Sequence, residues 1–219
     1  MIKLVVFDWN GTLIADLEAA TVGCNAKLKI FGHSLITSSQ YRQFFEVPTY
    51  KMYEQLGVPK NILEAKSREA SEAFHAAYEP RVAKVRTRQG ARQLLATLEA
   101  QGISKILLSN HTTTGIQSQV IRLNLSKFFN RILANADVYS SHLKGKKDRL
   151  IDYFQTINFK PSETLIIGDT VEEIAIGQEI GLKTVAITGG FNTKAKLKAA
   201  KSDFLIHKLN DLMPILEQL

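Results

Sequence analysis

Three polar side chains in this sequence each stand at the end of an apolar run. Asp8 follows Leu4-Val5-Val6-Phe7, Ser109 follows Ile106-Leu107-Leu108, and Asp169 follows Leu165-Ile166-Ile167-Gly168. Short apolar runs closed by polar and Gly residues read as buried strands. If these strands run parallel, the three side chains converge at one carboxyl edge, where open α/β sheets build their ligand sites. Two carboxylates can offer oxygens to a hard cation. A hydroxyl and the nearby Lys144, Lys146 and Lys147 suit an anion. A buried carboxylate without a partner is costly, so Asp8 and Asp169 each need a job there. Taken singly, each residue also has a plainer use. Asp8 can close a turn, Ser109 can cap the following helix, the lysines can form a solvated loop, and Glu172 and Glu173 sit where a helix dipole favours acids.

The elements that must position these residues follow from the periodicity. The sequence predicts helices over Leu17–Phe31, Tyr41–Phe45 (with Ser38-Ser39 as its cap), a stretch opened by Pro48 and closed at Gly57, and a long helix from Pro59 to about Tyr78 that Pro80 ends. From Arg88 the pattern alternates. Helices over Gln89–Gln101, Gly115–Leu125, Asp148–Ile157, Val171–Ile180, Thr193–Ala200 and Leu209–Leu219 separate strands over Ile103–Leu108, Arg131–Ala134, Leu165–Ile167, Lys183–Ile187 and Phe204–Ile206. Alternating strands and helices argue an α/β fold with a parallel sheet. The expected division is a core of residues 1–15 and 82–219, with an inserted all-helical cap over 16–81.

The chain has 219 residues, enough for a core with an insert. Its 45% hydrophobic and 22% charged residues are ordinary for a soluble globular protein. No run approaches a membrane span, and the N-terminal run is too short and too polar for a signal peptide. Cys24 is the single cysteine, which excludes an internal disulfide, fits a cytoplasmic location and reads as a small buried hydrophobe. The formal net charge of +7 can steer anionic ligands. The basic clusters lack interleaved aromatics, and no nucleic-acid module or Gly-x-Gly-x-x-Gly turn is present. Neither nucleic acid nor membrane is expected as a partner.

Phe7-Asp8-Trp9-Asn10-Gly11-Thr12-Leu13 resembles the first motif of the haloacid dehalogenase superfamily, Asp-x-Asp-Gly-Thr-Leu/Val. Ile106-Leu107-Leu108-Ser109-Asn110 resembles its second, and Gly168-Asp169-Thr170-Val171-Glu172-Glu173 its last. Lys144, 25 residues ahead of Asp169, resembles its lysine, with Lys146 and Lys147 as rivals. The order holds from Met1 to about Gly190, and the helical insert falls where a cap is found. The first motif is also similar to a variant among hydrolases of the phosphoglycolate-phosphatase type.

The resemblance implies a Rossmann-like core and phosphoryl transfer, which needs an in-line nucleophile and positive charge around the transferring oxygens. Asp8 would be the nucleophile and form an aspartyl-phosphate. Mg²⁺ would be held by Asp8, the main-chain carbonyl of Asn10, Asp169 and Glu173, with Glu172 as its alternate. Ser109 would donate to a phosphoryl oxygen, Lys144 would neutralise charge, and main-chain N–H groups of Trp9, Asn10 and Asn110 would join them. His111 is a candidate substrate contact. The expected ligand is a small phosphorylated metabolite, and the expected assembly a monomer or homodimer.

Asn10 departs from the family pattern, because most of its phosphatases carry a second Asp there to protonate the leaving group and activate water. An amide has no titratable proton near neutral pH, and losing such help costs roughly 10²- to 10⁴-fold. Three readings follow: hydrolysis of substrates with good leaving groups such as acyl phosphates, a proton supplied by water or another group, or binding of a phosphorylated ligand or partner without turnover. A 2-haloacid dehalogenase, a sugar phosphomutase and a phosphonate-cleaving enzyme using Lys51, Lys60 or Lys66 are rivals. The phosphatase-like motifs weigh against the dehalogenase, and Asn10 would handicap the mutase equally.

Overall fold

The computed structural model describes residues 1–137 and 145–219. Six parallel strands form one sheet: β1 (Leu4–Phe7), β2 (Ser104–Thr112), β3 (Arg131–Asn135), β4 (Thr164–Gly168), β5 (Lys183–Ile187) and β6 (Phe204–Ile206). Their order is β3-β2-β1-β4-β5-β6. The chain winds outward from β1 in one direction, then returns to build on its other side. The crevice between β1 and β4 is therefore the topological switch point, where doubly wound sheets bind ligands.

Strand alternation divides the core. Val5 and Phe7 join Leu107, Leu165, Ile167 and Val185 on one face. That face packs against α6 (Ala91–Ala100), α7 (Thr113–Arg122) and α11 (Leu212–Gln218), through residues such as Leu94, Leu95, Leu98, Ile116, Val120 and Leu212. Leu4 and Val6 join Ile106, Leu108 and Ile166 on the other face, against α8 (Lys146–Phe154) and α9 (Val171–Ile180). α10 (Lys194–Ala199) seats Leu197 against Ile174 and Ala186. Both faces of β1 are thus buried, which is why its four residues are uniformly apolar.

Between β1 and α6 the described chain is helical: α1 (Leu17–Ile30), α2 (Ser38–Phe44), α3 (Tyr50–Gln55), α4 (Lys60–Ala65) and α5 (Ser67–Val82). α1 and α5 pack along one another, with Gly23 allowing Phe74 close to the helix backbone. The two ends of this block leave the sheet side by side. Arg88 N–H donates to Leu13 O, and Ala15 N–H donates to Arg86 O.

Four local expectations are corrected. The helix expected from Pro59 to Tyr78 is two helices, because Lys66 leaves helical geometry and donates its ammonium to Ile30 O at the end of α1, 2.8 Å away. Pro80 does not end α5; it lies inside it, and hydrogen bonding resumes with Ala83 N–H to Glu79 O. The cap of α2 is Thr37, whose hydroxyl accepts from Gln40 N–H while the Gln40 side chain accepts from Thr37 N–H. β2 also runs past Ser109 to Thr112, with its register against β3 shifting between Leu108 and Thr112.

Candidate active site

The strand registers bring the three strand-end residues together. Phe7 pairs with Leu107 and with Ile167, so Asp8 and Asp169 follow the carboxyl ends of β1 and β4, and Ser109 lies beside them where β2 passes the end of β1. All three are buried. Gly11 turns the chain back with φ of +76°, a conformation suited to glycine. A Cβ on Gly11 would fall 2.3 Å from Asp169 Oδ2, and one on Gly190 would fall 2.1 Å from the same atom. Asp169 is therefore cradled by two bare backbones. Its Oδ1 accepts from the Thr12 hydroxyl at 2.9 Å, and its Oδ2 accepts from Phe191 N–H.

Lys146 supplies the positive charge. It is the first residue of α8 and is buried. Its Nζ donates to Asp8 Oδ1 at 2.7 Å and to Glu173 Oε1, and lies 3.6 Å from Glu172 Oε2. Burial alone would favour the neutral amine, but Asp8, Glu173 and Glu172 outweigh it and hold Lys146 well above the usual lysine range. Lys144, which the resemblance favours, lies outside the described residues. Lys147, the other rival, pairs with Glu179 at 2.8 Å on the surface.

The carboxylates pull against burial. Desolvation raises Asp8, with Lys146 opposing it and Glu173 and Asp169 adding to it. Asp169 is pushed up to about 6 by burial and by Glu173. Glu172 is also raised by burial, against Lys146 and the amide of Asn110, which donates to it at 2.8 Å. Glu173 accepts from the Thr170 hydroxyl at 2.6 Å, and Thr170 caps α9 by accepting from Glu172 N–H.

These donors suit a hard divalent cation. Asp8 Oδ2 is buried and finds no hydrogen-bond partner among the described residues, and the carboxylates of Glu173 and Asp169 are near enough for their charges to act on it. Among the described residues no three ligating side chains already surround one point; Lys146 instead draws Asp8 and Glu173 together.

The expected phosphate contacts divide. The Ser109 hydroxyl is in the site, donating to Asn10 Oδ1 at 3.2 Å and accepting from His111 N–H at 3.1 Å. Trp9 has a buried indole that donates to Gln119 Oε1 at 2.6 Å, so only its main chain can face a ligand. Asn110 is exposed beside Glu172. His111 turns its ring toward α5. Its Nδ1 accepts from Thr112 N–H at 2.7 Å, which leaves the proton on Nε2, 3.6 Å from Glu79 Oε1. Burial lowers its pKa, so the neutral ring is favoured.

Several contributors carried no sequence signal. The Asn10 amide donates to Asp16 Oδ2 and to the Tyr78 hydroxyl, both at 2.8 Å. Arg88 donates to Gly11 O at 2.7 Å and Thr188 O at 2.6 Å, tying the first turn to the end of β5. Arg42 on α2 donates to Gly190 O at 2.9 Å and Gly189 O at 3.0 Å, and Asn192 donates to Phe45 O at 3.1 Å. The helical block is thereby fastened to the loop that cradles Asp169. A cleft of about 420 Å³ opens beside these contacts, lined by Phe45, Val47, Lys146, Thr170, Glu172 and Asn192.

The family model for haloacid dehalogenase-like hydrolases matches residues 5–187. The chain belongs to that family. A phosphoglycolate phosphatase of Synechococcus elongatus is 24% identical over 221 residues, covering 99% of this chain and 98% of that protein. A pyrophosphatase PpaX of Bacillus mycoides is 25% identical over 234 residues, covering 100% of this chain and 98% of that protein. Among solved structures, one described as a predicted phosphatase from Clostridium acetobutylicum superposes with a TM-score of 0.86 at 19% identity, covering 100% of both chains. A haloacid dehalogenase-like family hydrolase from Streptococcus pneumoniae gives 0.82 at 21% identity, covering 98% of both. The α/β architecture of this hydrolase is that of its structural neighbours.

Proposed function

We propose that this hydrolase is a Mg²⁺-dependent phosphatase of small phosphorylated metabolites, either phosphoric monoesters or acyl phosphates. The observation that carries the reading is the state of Asp8: one carboxylate oxygen is held by Lys146, while the other has no hydrogen-bond partner among the described residues. A carboxylate so oriented is a nucleophile with its own orienting cation. The phosphatase names of the two full-length relatives agree with it.

The chain's own residues divide the work. Asp8 attacks phosphorus through its unpartnered oxygen, and the phosphoryl–leaving-group bond breaks to give an aspartyl-phosphate, the leaving group departing with the bonding pair as a carboxylate or, from a monoester, taking a proton from water. Lys146 keeps Asp8 ionised and faces the charge on the phosphoryl oxygens. Ser109 turns its hydroxyl from Asn10 to a phosphoryl oxygen, and main-chain N–H groups of Trp9, Asn10 and Asn110 complete the anion cradle. Asp8, the carbonyl of Asn10, Asp169 and Glu173 would hold Mg²⁺, with Glu172 as the alternate to Glu173. When bound, Mg²⁺ supplies charge neutralisation for the transferring group. Water then attacks phosphorus, the bond between phosphorus and the Asp8 oxygen breaks, and inorganic phosphate leaves with Asp8 returned as the carboxylate.

Residues 16–81 serve as the cap that covers the site, excludes water and selects the substrate. Hydrogen bonds support that role: Arg42 and Asn192 join the helical block to the loop that cradles Asp169, and Tyr78 joins it to the catalytic turn. Asn10 favours a second reading, in which the same site binds a phosphorylated ligand or partner and turns over slowly. Phosphate release from acetyl phosphate, p-nitrophenyl phosphate and an alkyl phosphate decides between them. The phosphatase reading expects Mg²⁺-dependent release biased to the better leaving groups and abolished in Asp8→Asn. No release from any of the three would favour the binding reading.

A further inference from the structure

The least expected feature of this site is a closed ring of hydrogen bonds behind Asn10. Its members come from three places: the catalytic turn, the residue before α1, and the last turns of α5. Asn10 Nδ2 donates to Asp16 Oδ2 at 2.8 Å and to the Tyr78 hydroxyl at 2.8 Å. The Tyr78 hydroxyl donates to the same Asp16 Oδ2 at 2.8 Å. Gly11 N–H donates to Asp16 Oδ1 at 2.7 Å. The front of the Asn10 amide, Oδ1, accepts from the Ser109 hydroxyl at 3.2 Å. Asp16 is completely buried and Tyr78 nearly so.

The donor count of this ring is closed. Asp16 is acceptor-only when ionised, Tyr78 has one proton, and the amide has two. Tyr78 spends its proton on Asp16, so its oxygen must receive one from Asn10. The second amide proton goes to Asp16. The orientation of the amide is fixed by this arithmetic: its N–H groups face Asp16 and Tyr78, and its carbonyl must face Ser109. A carboxylate at position 10 with Asp16 unchanged would remove both amide donors and set two carboxylates 2.8 Å apart around one phenolic proton.

We propose that Asn10 and Asp16 are an exchangeable amide–acid pair joined by Tyr78. Asp16 and Tyr78 act as positioning residues that hold Asn10, and through it the Ser109 hydroxyl. An acid can occupy position 10 only if position 16 gives its carboxylate up. The exchange Asn10→Asp with Asp16→Asn preserves every partner. Asn at 16 would accept from Gly11 N–H through its oxygen and donate its two amide protons to Asp at 10 and to Tyr78. Tyr78 would donate to Asp at 10, whose other oxygen would accept from Ser109. The ring reverses direction and stays closed. Asn10→Asp alone cannot do this, because it strips both donors. Asp16→Asn alone closes the ring only by flipping the Asn10 amide, which turns its N–H₂ onto Ser109 and takes away the acceptor of that hydroxyl.

The ring accounts for Asn10 as a structural partner of Asp16 and not simply as a lost acid. It also ties substrate handling to the helical block, because Tyr78 belongs to α5. Its consequence for leaving groups rests on the phosphatase reading above, whereas the pairing itself does not.

The test is a cycle of four proteins: wild type, Asn10→Asp, Asp16→Asn and the double exchange. Melting temperature is measured without metal, and kcat/KM with Mg²⁺ on p-nitrophenyl phosphate and an alkyl phosphate. Asn10→Asp is expected to lower the melting temperature by about 5 °C or more, Asp16→Asn by less, and the double exchange to recover most of the Asn10→Asp loss. The double exchange is also expected to raise the alkyl-to-aryl ratio of kcat/KM by about tenfold or more, since an acid now stands at position 10. Tyr78→Phe, which keeps the ring packing, should shrink the coupling between positions 10 and 16. Additive melting shifts would overturn the pairing, as would an Asn10→Asp protein as stable as wild type and as active on alkyl phosphate as the double exchange. If none of the four proteins releases phosphate while the melting shifts remain strongly non-additive, the phosphatase reading fails and the pairing stands.

Discussion

Lys146 Nζ lies 2.7 Å from Asp8 Oδ1 and also contacts Glu173, so one buried cation joins the end of β1 to the first turn of α9. Removing it strands two acids together in a site that excludes water. Breaking a buried pair in this way costs about 3 to 5 kcal/mol. Lys146→Met is therefore expected to be strongly destabilised and to lose about 10²- to 10³-fold in kcat. Lys147→Met, on the exposed side of the same turn, should leave both unchanged. Thermal melts and phosphate-release kinetics on the pair check this. A Lys146→Met protein that keeps wild-type turnover would remove Lys146 from the site.

Asp169 gives the metal-free protein a definite pH signature. Its folded-state pKa is raised to about 6 from an ordinary value near 3.8. The folded state therefore holds the proton more tightly than the unfolded chain between those values. Its contribution to stability falls as pH rises through that window and is flat above it, by on the order of 2 to 3 kcal/mol in all. Asp169→Asn lacks this titration. The difference in melting temperature between wild type and Asp169→Asn should shift against wild type from about pH 4 to about pH 6, and Mg²⁺ added at pH 7 should raise the wild-type value. A pH-independent difference would contradict the assignment.

Gly190 tests the cradle around Asp169. A Cβ at Gly190 would lie 2.1 Å from Asp169 Oδ2, whereas one at Gly102 would meet nothing within 4 Å. Gly190→Ala must displace the carboxylate, so Mg²⁺-dependent activity should fall by tenfold or more. Gly102→Ala pays only for its left-handed backbone, about 1 to 2 kcal/mol, and activity should hold. Mg²⁺ titrations of activity and thermal melts separate the two.

Trp9 stands beside the nucleophile yet packs away from it. Trp9→Phe keeps an aromatic side chain but removes one ring of the buried indole and leaves Gln119 Oε1 without its donor. The expected cost is about 1 to 3 kcal/mol of stability for the lost hydrogen bond, with a further cavity cost, and KM unchanged. A raised KM at unchanged stability would instead put the indole against the substrate.

The sheet edge is legible in the sequence because each apolar run ends abruptly on its polar residue, even though β2 itself continues past Ser109 to Thr112. Asp8, Ser109 and Asp169 needed only the assumption of parallel neighbours, which the registers satisfy. The lysine was harder. Lys144, Lys146 and Lys147 crowd one turn, and the choice of Lys146 depends on where α8 begins. Asp16 is six residues from Asn10 and in principle readable, but Tyr78 arrives from the far end of a helix that periodicity neither breaks at Lys66 nor carries past Pro80. Periodicity finds an apolar face; it does not say which hydroxyl that face delivers to a distant turn.

The central claim is that Asp8 carries the phosphoryl group, and Asn10 makes it open to direct measurement. With an amide where a base would activate water, the aspartyl-phosphate should hydrolyse slowly and accumulate. The protein would be mixed with acetyl phosphate and Mg²⁺, quenched in acid, digested and read by mass spectrometry. One phosphoryl group is expected on the peptide carrying Asp8, rising before steady-state release and absent from Asp8→Asn. Steady phosphate release with no phosphoryl group on that peptide, or release that survives in Asp8→Asn, would contradict it.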